Sequence, residues 1–407
     1  MEPAKAALII IPPFSRYGIM ETLEENITEL DKFKELFGKA AEVAVTSPAR
    51  VNIIGEHTDY NDGFVFPAAI NRSTKFFASK NGTRTVKVYS SNYSELVEFD
   101  LEELKRTRHW SDYVKGVCRE LSVQGCHLEG FDALIGGNIP IASGLSSSAS
   151  LELAVCEACA VLFDLPLEPL EQIKLCRRAE NQFVGVSCGI MDQFAIKLSR
   201  KGHGLFLDCR NLEYELIPIP SDELVFVIAD SGVERGLGAT EYHQRQKQCE
   251  RGSLFFNSLN KSIRNLRDVS EDSLVVNRDN IDPVIFRRCR HVVTENKRVL
   301  LAAQALKNPD MKRFGELINQ SHESCKSDYE VSCKELDLLV DLARMVPGVL
   351  GARMTGAGFG GCTINLVMRN RVEEFQQKVG SLYSKSTSLT AKFYVTEAED
   401  GVSSRKL

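Results

Sequence analysis

The chain has no apolar run approaching the ~20 residues that a bilayer-spanning helix needs. The short run Ala6–Ile11 follows no basic segment and ends in Pro12-Pro13, which excludes a signal-peptide core there. A cytoplasmic location is therefore expected. Positive charge is not in excess: 50 Lys and Arg stand against 55 Asp and Glu, a net charge of −5. That balance lacks the basic footprint of a nucleic-acid partner. Paired metal-ligand spacings are missing as well. The 12 cysteines lie mostly inside apolar segments, as reduced thiols of a cytosolic core would. A lone Cys156-x-x-Cys159 falls within one such segment, where packing explains it better than zinc or redox chemistry. The seven histidines form no cluster and no H-E-x-x-H. Internal repeats, low-complexity stretches and long linkers are absent too.

With 407 residues the chain has the length for two domains, at about 100–200 residues each. Residues 1–18 read as a tail, 19–200 as a first domain and 201–407 as a second. Strand-like segments (Val43–Thr46, Val51–Ile54, Gly63–Ile70, Lys75–Ser79, Thr85–Ser90, Phe131–Ile135) precede helical patterns at Leu151–Phe163 and Leu167–Val184. A second strand group, Gly204–Cys209, Tyr214–Ile219 and Leu224–Ala229, suggests a second layered unit. Helical patterns then cover Ala239–Leu259, Asp282–Leu306, Met311–Ser321 and Cys333–Met345, before strands at Val349–Met354 and Cys362–Met368. This irregular alternation predicts an α+β fold rather than regular βαβ winding.

The most informative stretch is Ile139–Ser150, in which Pro140, Gly144 and the serines Ser146, Ser147 and Ser148 lead into an apolar helix. A helix start presents free N–H groups and a positive dipole end, where phosphate is held. Serine hydroxyls there cap the helix, bond a phosphate oxygen or ligate Mg²⁺. No G-x-x-x-x-G-K-[ST] occurs, so a nucleotide would be held without the usual P-loop lysine. An ordinary serine-rich helix start remains the plainer reading.

Arg50–Gly63 gathers Arg50, Glu56, His57, Asp59 and Asp62 at a strand end and its turn. The carboxylates of Glu56 and Asp59 suit the hydroxyls of a polyol, with His57 as a further partner. Metal ligation is the weaker use, and a solvated Asn61-Asp62-Gly63 turn the plain one. Met354–Cys362 contains G-x-G-x-x-G, but a strand pattern follows instead of a helix, which argues against a dinucleotide site. Its glycines need either close backbone approach to a ligand or a tight turn. Asp192, within Gly189–Gln193, is either buried structurally or a placed general base.

Together these stretches resemble the GHMP family of small-molecule kinases, and within it the galactokinase subgroup. Arg50–Pro67 resembles the subgroup's signature, Pro140–Ser150 the phosphate-binding motif and Met354–Cys362 the third motif. Cys188–Phe194 and Glu241–Glu250 are similar to further galactokinase segments. The resemblance runs from about residue 20 to the end. It implies two α+β domains with the site in the cleft between them, and phosphorylation of the anomeric hydroxyl of α-D-galactose by MgATP. By motif position Asp192 would take or orient the hydroxyl proton, with Arg50 beside it as electrostatic stabiliser. Glu56, His57, Asp59, Gly189 and Tyr242 match sugar-binding positions. Gly144, Leu145, Ser146, Ser147, Ser148 and Ala149 match the phosphate loop, and Trp110 and Tyr113 the segment around adenine. Glu180 with Ser147 or Ser148 would hold Mg²⁺, Ser148 being our choice. ATP and galactose are the implied partners, with no nucleic acid or membrane, and a monomer is expected. The chain departs from the family at Ala142, where glycine is usual, and reads Ser47-Pro48-Ala49-Arg50 for A-P-G-R. A kinase for N-acetylgalactosamine or arabinose, or a non-catalytic galactose sensor, are the alternatives.

Overall fold

The computed structural model describes residues 28–140, 144–233 and 238–407. A helix over residues 28–37, α1, leads into β1 (Val43–Ile54). The strands β2 (Phe64–Lys80), β3 (Thr85–Ser90), β4 (Glu95–Asp100), β5 (Phe131–Gly137), β6 (His203–Asp208) and β7 (Tyr214–Pro218) follow. A second sheet comprises β8 (Leu224–Asp230), β9 (Val349–Thr355), β10 (Cys362–Met368) and β11 (Lys392–Thr396). The last strand, β12 (Ser403–Lys406), returns to the first sheet and pairs antiparallel with β1. The first sheet runs β12-β1-β2-β5-β3-β4, with β6 paired to β2 and β7 to β6; the second runs β11-β8-β10-β9.

A boundary at residue 200 therefore does not divide the sheets. β6, β7 and β12 follow it in sequence, yet all three hydrogen bond within the first sheet. The second strand group expected from the sequence is split accordingly, since only β8 of it enters the second sheet. The strand expected to break at Ser47–Arg50 instead runs through. Its register slips at Pro48/Ala49, a position that suits a residue with no N–H to give.

Among the described residues ten α-helices follow α1: α2 (Asp112–Val123), α3 (Ser147–Leu162), α4 (Pro169–Arg178), α5 (Met191–Leu198), α6 (Gly238–Leu259), α7 (Glu271–Val276), α8 (Pro283–Lys307), α9 (Met311–Ser324), α10 (Lys334–Arg344) and α11 (Val372–Thr387). Apolar side chains of β1 divide between two clusters on either side of its register slip, and those of β8 alternate between its two faces. Val43 and Val45 of β1 pack with α2 and α3, whereas Ala49, Val51 and Ile53 join Phe226, Ile228, Ile364 and Leu366 of the second sheet and residues of α8 and α9. Val225 and Val227 face the other way, toward α10 and α11. One apolar layer thus fuses the two sheets and fixes β1, with its Arg50 and the turn after it, against both halves. Among the described residues no helix is long and apolar enough to cross a membrane. Cys156 and Cys159 are core side chains with free thiols.

Candidate active site

Arg50 lies on β1, and Asp192 in the first turn of α5, where the helix dipole favours an anion. The two are 142 positions apart in sequence and meet in a bidentate pair, Nε to Oδ1 at 2.8 Å and Nη2 to Oδ2 at 2.7 Å. Arg50 Nη1 also donates to the Gly144 carbonyl at 2.8 Å, tying the serine turn to the same centre. Ser146 caps α3 in a left-handed conformation (φ 59°), and its hydroxyl donates to Asp192 Oδ2. The carboxylate is therefore held by donors on both oxygens while its side chain stays 23% exposed, open on one side.

Ser147 and Ser148 open α3 and help line a cavity of about 250 Å³, with Thr74, Trp110, Tyr113 and Leu151 among its other walls. Leu145 and Ala149 are instead core side chains, so only their backbone faces this end of the helix. Sequence reasoning missed Tyr93 and Glu95 here. Tyr93 stacks nearly parallel on Trp110 (11°, centroids 5.9 Å apart), and Glu95 accepts the indole N–H at 2.8 Å.

Below the cavity the helix after α4 widens into a π turn, Ala179–Val184, that turns Glu180 inward. Its Oε2 accepts from the Gln193 amide (2.7 Å) and the Cys188 thiol (3.2 Å), and Ser148 also hydrogen bonds to it. Burial pushes the Glu180 carboxyl upward, as does the nearby charge of Asp192. Glu152, on α3 and not foreseen, is raised for the same reasons, burial first and then Glu180. A hydroxyl beside crowded, buried carboxylates is a hard-oxygen donor set, and a divalent cation would relieve its repulsion. Among the described residues no group of three or more His, Cys, Asp or Glu side chains forms a closed metal cage.

On the other side of Asp192 lies the turn after β1. Glu56 is buried and paired to Arg353 of β9 at 2.7 Å. Burial raises its carboxyl, against the pull of Arg353. Asp59 is pushed up to about 6, by burial and then by Asp192. The Asp59 carboxylate packs directly on the Gly189 backbone, where any side chain would have to displace it. Tyr242 of α6 packs its ring against His57 and Tyr60, centroids 5.3 Å away in each case. Gly358 and Gly360 of the glycine loop lie with positive φ against the backbone of Val331 and Val233, and the Phe359 N–H donates to the Val331 carbonyl (2.7 Å). Their small size serves approach to the protein's own chain. Ala142 lies outside the described residues.

Three family models match separate stretches of the chain. The galactokinase galactose-binding signature covers residues 31–80, the GHMP kinase N-terminal domain 112–200 and the GHMP kinase C-terminal domain 302–385. The galactokinase of Roseiflexus sp. (strain RS-1) is 43% identical over 373 residues, 91% of this chain and 95% of that one. The chain belongs to the galactokinase family. Clostridium acetobutylicum galactokinase is 42% identical over 91% of this chain and 97% of its own length. The crystal structure of Lactococcus lactis galactokinase complexed with galactose matches with a TM-score of 0.90 at 42% identity, over 93% of this chain and 99% of that one. A mevalonate kinase matches at 0.61 and 20% identity, which shows the shared fold alone. The chain is thus a kinase of the α+β GHMP fold.

Two buried histidines give this galactokinase-family site a measurable signature. Burial lowers His57 to about 3 and His291 to about 4. In the unfolded chain each would take up a proton from about pH 6.5 downward. The unfolded state then binds more protons than the folded one, so both histidines draw stability down as pH falls toward the folded values. Imidazole ¹⁵N spectra should show these two rings neutral at pH 5.5, where an ordinary histidine is mostly charged. Titration of His57 near 6.5 would contradict the packing described.

Proposed function

We propose that the chain transfers the γ-phosphoryl group of ATP to the anomeric (C1) hydroxyl of α-D-galactose, giving galactose 1-phosphate and ADP. The observation that carries this is the position of Asp192, held by Arg50 and Ser146 between two differently equipped regions. Its charge raises both Asp59 on one side and Glu180 on the other. Support for galactose comes from the galactose-binding signature and from the galactose complex of the Lactococcus lactis relative.

In this reading ATP lies in the cavity, its base against Trp110 and Tyr113 and its phosphates at the start of α3. The backbone from Gly144 to Ala149 and the Ser147 and Ser148 hydroxyls hold the phosphates. Glu56, His57, Asp59, Gly189 and Tyr242 form the sugar side. Asp192 accepts or orients the hydroxyl proton, and Arg50, paired with it, stabilises charge on the moving phosphoryl group. Such positioning and charge stabilisation supply most of the catalysis in phosphoryl transfer. Ser148 and Glu180 are the residues that would hold Mg²⁺, which neutralises phosphate charge. Replacing Glu180 with alanine should raise the Mg²⁺ concentration for half-maximal rate at least about tenfold. An unchanged Mg²⁺ requirement would remove Glu180 from this role.

The deciding experiment is ATP consumption by the purified protein with Mg²⁺ across galactose, N-acetylgalactosamine, arabinose, glucose and mevalonate. Turnover with galactose well above the others is expected. Preference for N-acetylgalactosamine or arabinose would reassign the sugar. Galactose binding without turnover on any sugar would make the protein a sensor.

A further inference from the structure

His57 sits in the left-handed region (φ 61°) and both of its ring nitrogens are committed to protein partners. Nε2 lies 3.1 Å from the Ala357 carbonyl of the glycine loop, and Nδ1 lies 2.9 Å from the Tyr60 hydroxyl. A carbonyl only accepts, so Nε2 carries the proton, and in the neutral ring Nδ1 must accept. Tyr60 therefore donates to His57. The one proton of Tyr60 being spent, its oxygen accepts from the Tyr329 hydroxyl at 2.7 Å. Tyr329 in turn accepts from the Cys249 thiol at 3.0 Å. Each bond in this chain points the same way, from α6 through the π turn Cys325–Tyr329 to the turn after β1 and on to the glycine loop. Tyr329 is fully buried, and Cys249 and His57 nearly so. Cys249 lies two helical turns from Tyr242, on the same side of α6.

We infer that Tyr60, Tyr329 and Cys249 are positioning residues that lock the His57 ring, and Tyr242 with it, into one wall of the sugar pocket. The inference rests on the sugar site proposed above. Removing the Tyr60 hydroxyl leaves a buried Nδ1 without a donor, and the ring must turn or admit water to satisfy it. Removing the Tyr329 hydroxyl frees the Tyr60 oxygen and the Cys249 thiol together. The bonds act in series: losing the Tyr60 hydroxyl releases the ring outright, and losing the Tyr329 hydroxyl loosens the Tyr60 hydroxyl that holds it.

Steady-state kinetics of Tyr60→Phe, Tyr329→Phe and the double variant test this. The KM for galactose should rise about tenfold in each single variant, with kcat and the KM for ATP within about twofold of wild type. The double variant should be no worse than the poorer single one. Cys249→Ser, which keeps a donor, should leave galactose KM near wild type, whereas Cys249→Ala should raise it. Simple loss of folded protein would lower kcat without moving one KM alone. Unmoved galactose KM, a parallel rise in both KM values, or multiplicative effects in the double variant would each overturn the relay. Wild-type protein silent toward galactose would overturn instead the functional reading on which it rests.

Discussion

Asp192→Asn should lower kcat about a thousandfold while galactose binding, measured by calorimetry, stays within a few-fold of wild type. The amide keeps the shape of the carboxylate but cannot take a proton. It also offers an NH₂ to a partner that only donates. Arg50 presses Nε and Nη2 on the two Asp192 oxygens, so one of those donors must face the amide nitrogen. Ser146 can turn its hydroxyl to a new acceptor, but Arg50 cannot, being fastened also to the Gly144 carbonyl. The variant should therefore fail in turnover and not in sugar affinity. Near-wild-type kcat would show that Asp192 neither moves nor orients the proton.

Arg353→Met should destabilise the protein by about 3–5 kcal/mol, the range found when one partner of a buried ion pair is removed. Arg353 is fully buried, with Nη2 on Glu56 at 2.7 Å and Nη1 on the Asn52 carbonyl at 3.0 Å. It staples β9 of the second sheet to the end of β1 in the first. Without it the Glu56 carboxylate is left buried without its direct ion-pair partner, and its pKa climbs further. The folded state then holds a proton that the unfolded state has lost above about pH 4.5. Stability is regained as pH falls, so the loss should be larger at pH 8 than at pH 5.5. Arg353→Met combined with Glu56→Gln should recover part of it, because the uncompensated charge is gone. Chemical unfolding at both pH values checks this. A single variant within 1 kcal/mol of wild type would show that the staple contributes little.

Much of the chemistry was readable along the chain because each motif is short. The helix start at Ser147, the strand before Arg50 and the glycines between β9 and β10 announce themselves within a dozen residues. Helix starts and tight turns depend on neighbours in sequence. The π turn that aims Glu180 was not readable, since the pattern Leu167–Val184 looks like one continuous helix. β4, β11, β12 and α11 were missed, and the first sheet's recruitment of β6, β7 and β12 could not be inferred.

By itself, then, the sequence determined the α+β class, the Asp192 and Arg50 pair as candidates, and the serine-led helix that faces the cavity. Only the tertiary structure decided what those residues touch. Arg353 meets Glu56 across 297 positions, and Cys249 and Tyr329 reach His57 through Tyr60. The Asp59 carboxylate from another turn packs on Gly189, and the glycine loop is pressed against the backbone of Val331 and Val233. Propensity and motif chemistry act over a few residues, whereas these partners were chosen by the packing of two sheets around one apolar layer. In that layer a buried charge or hydroxyl must find a partner wherever the fold brings one.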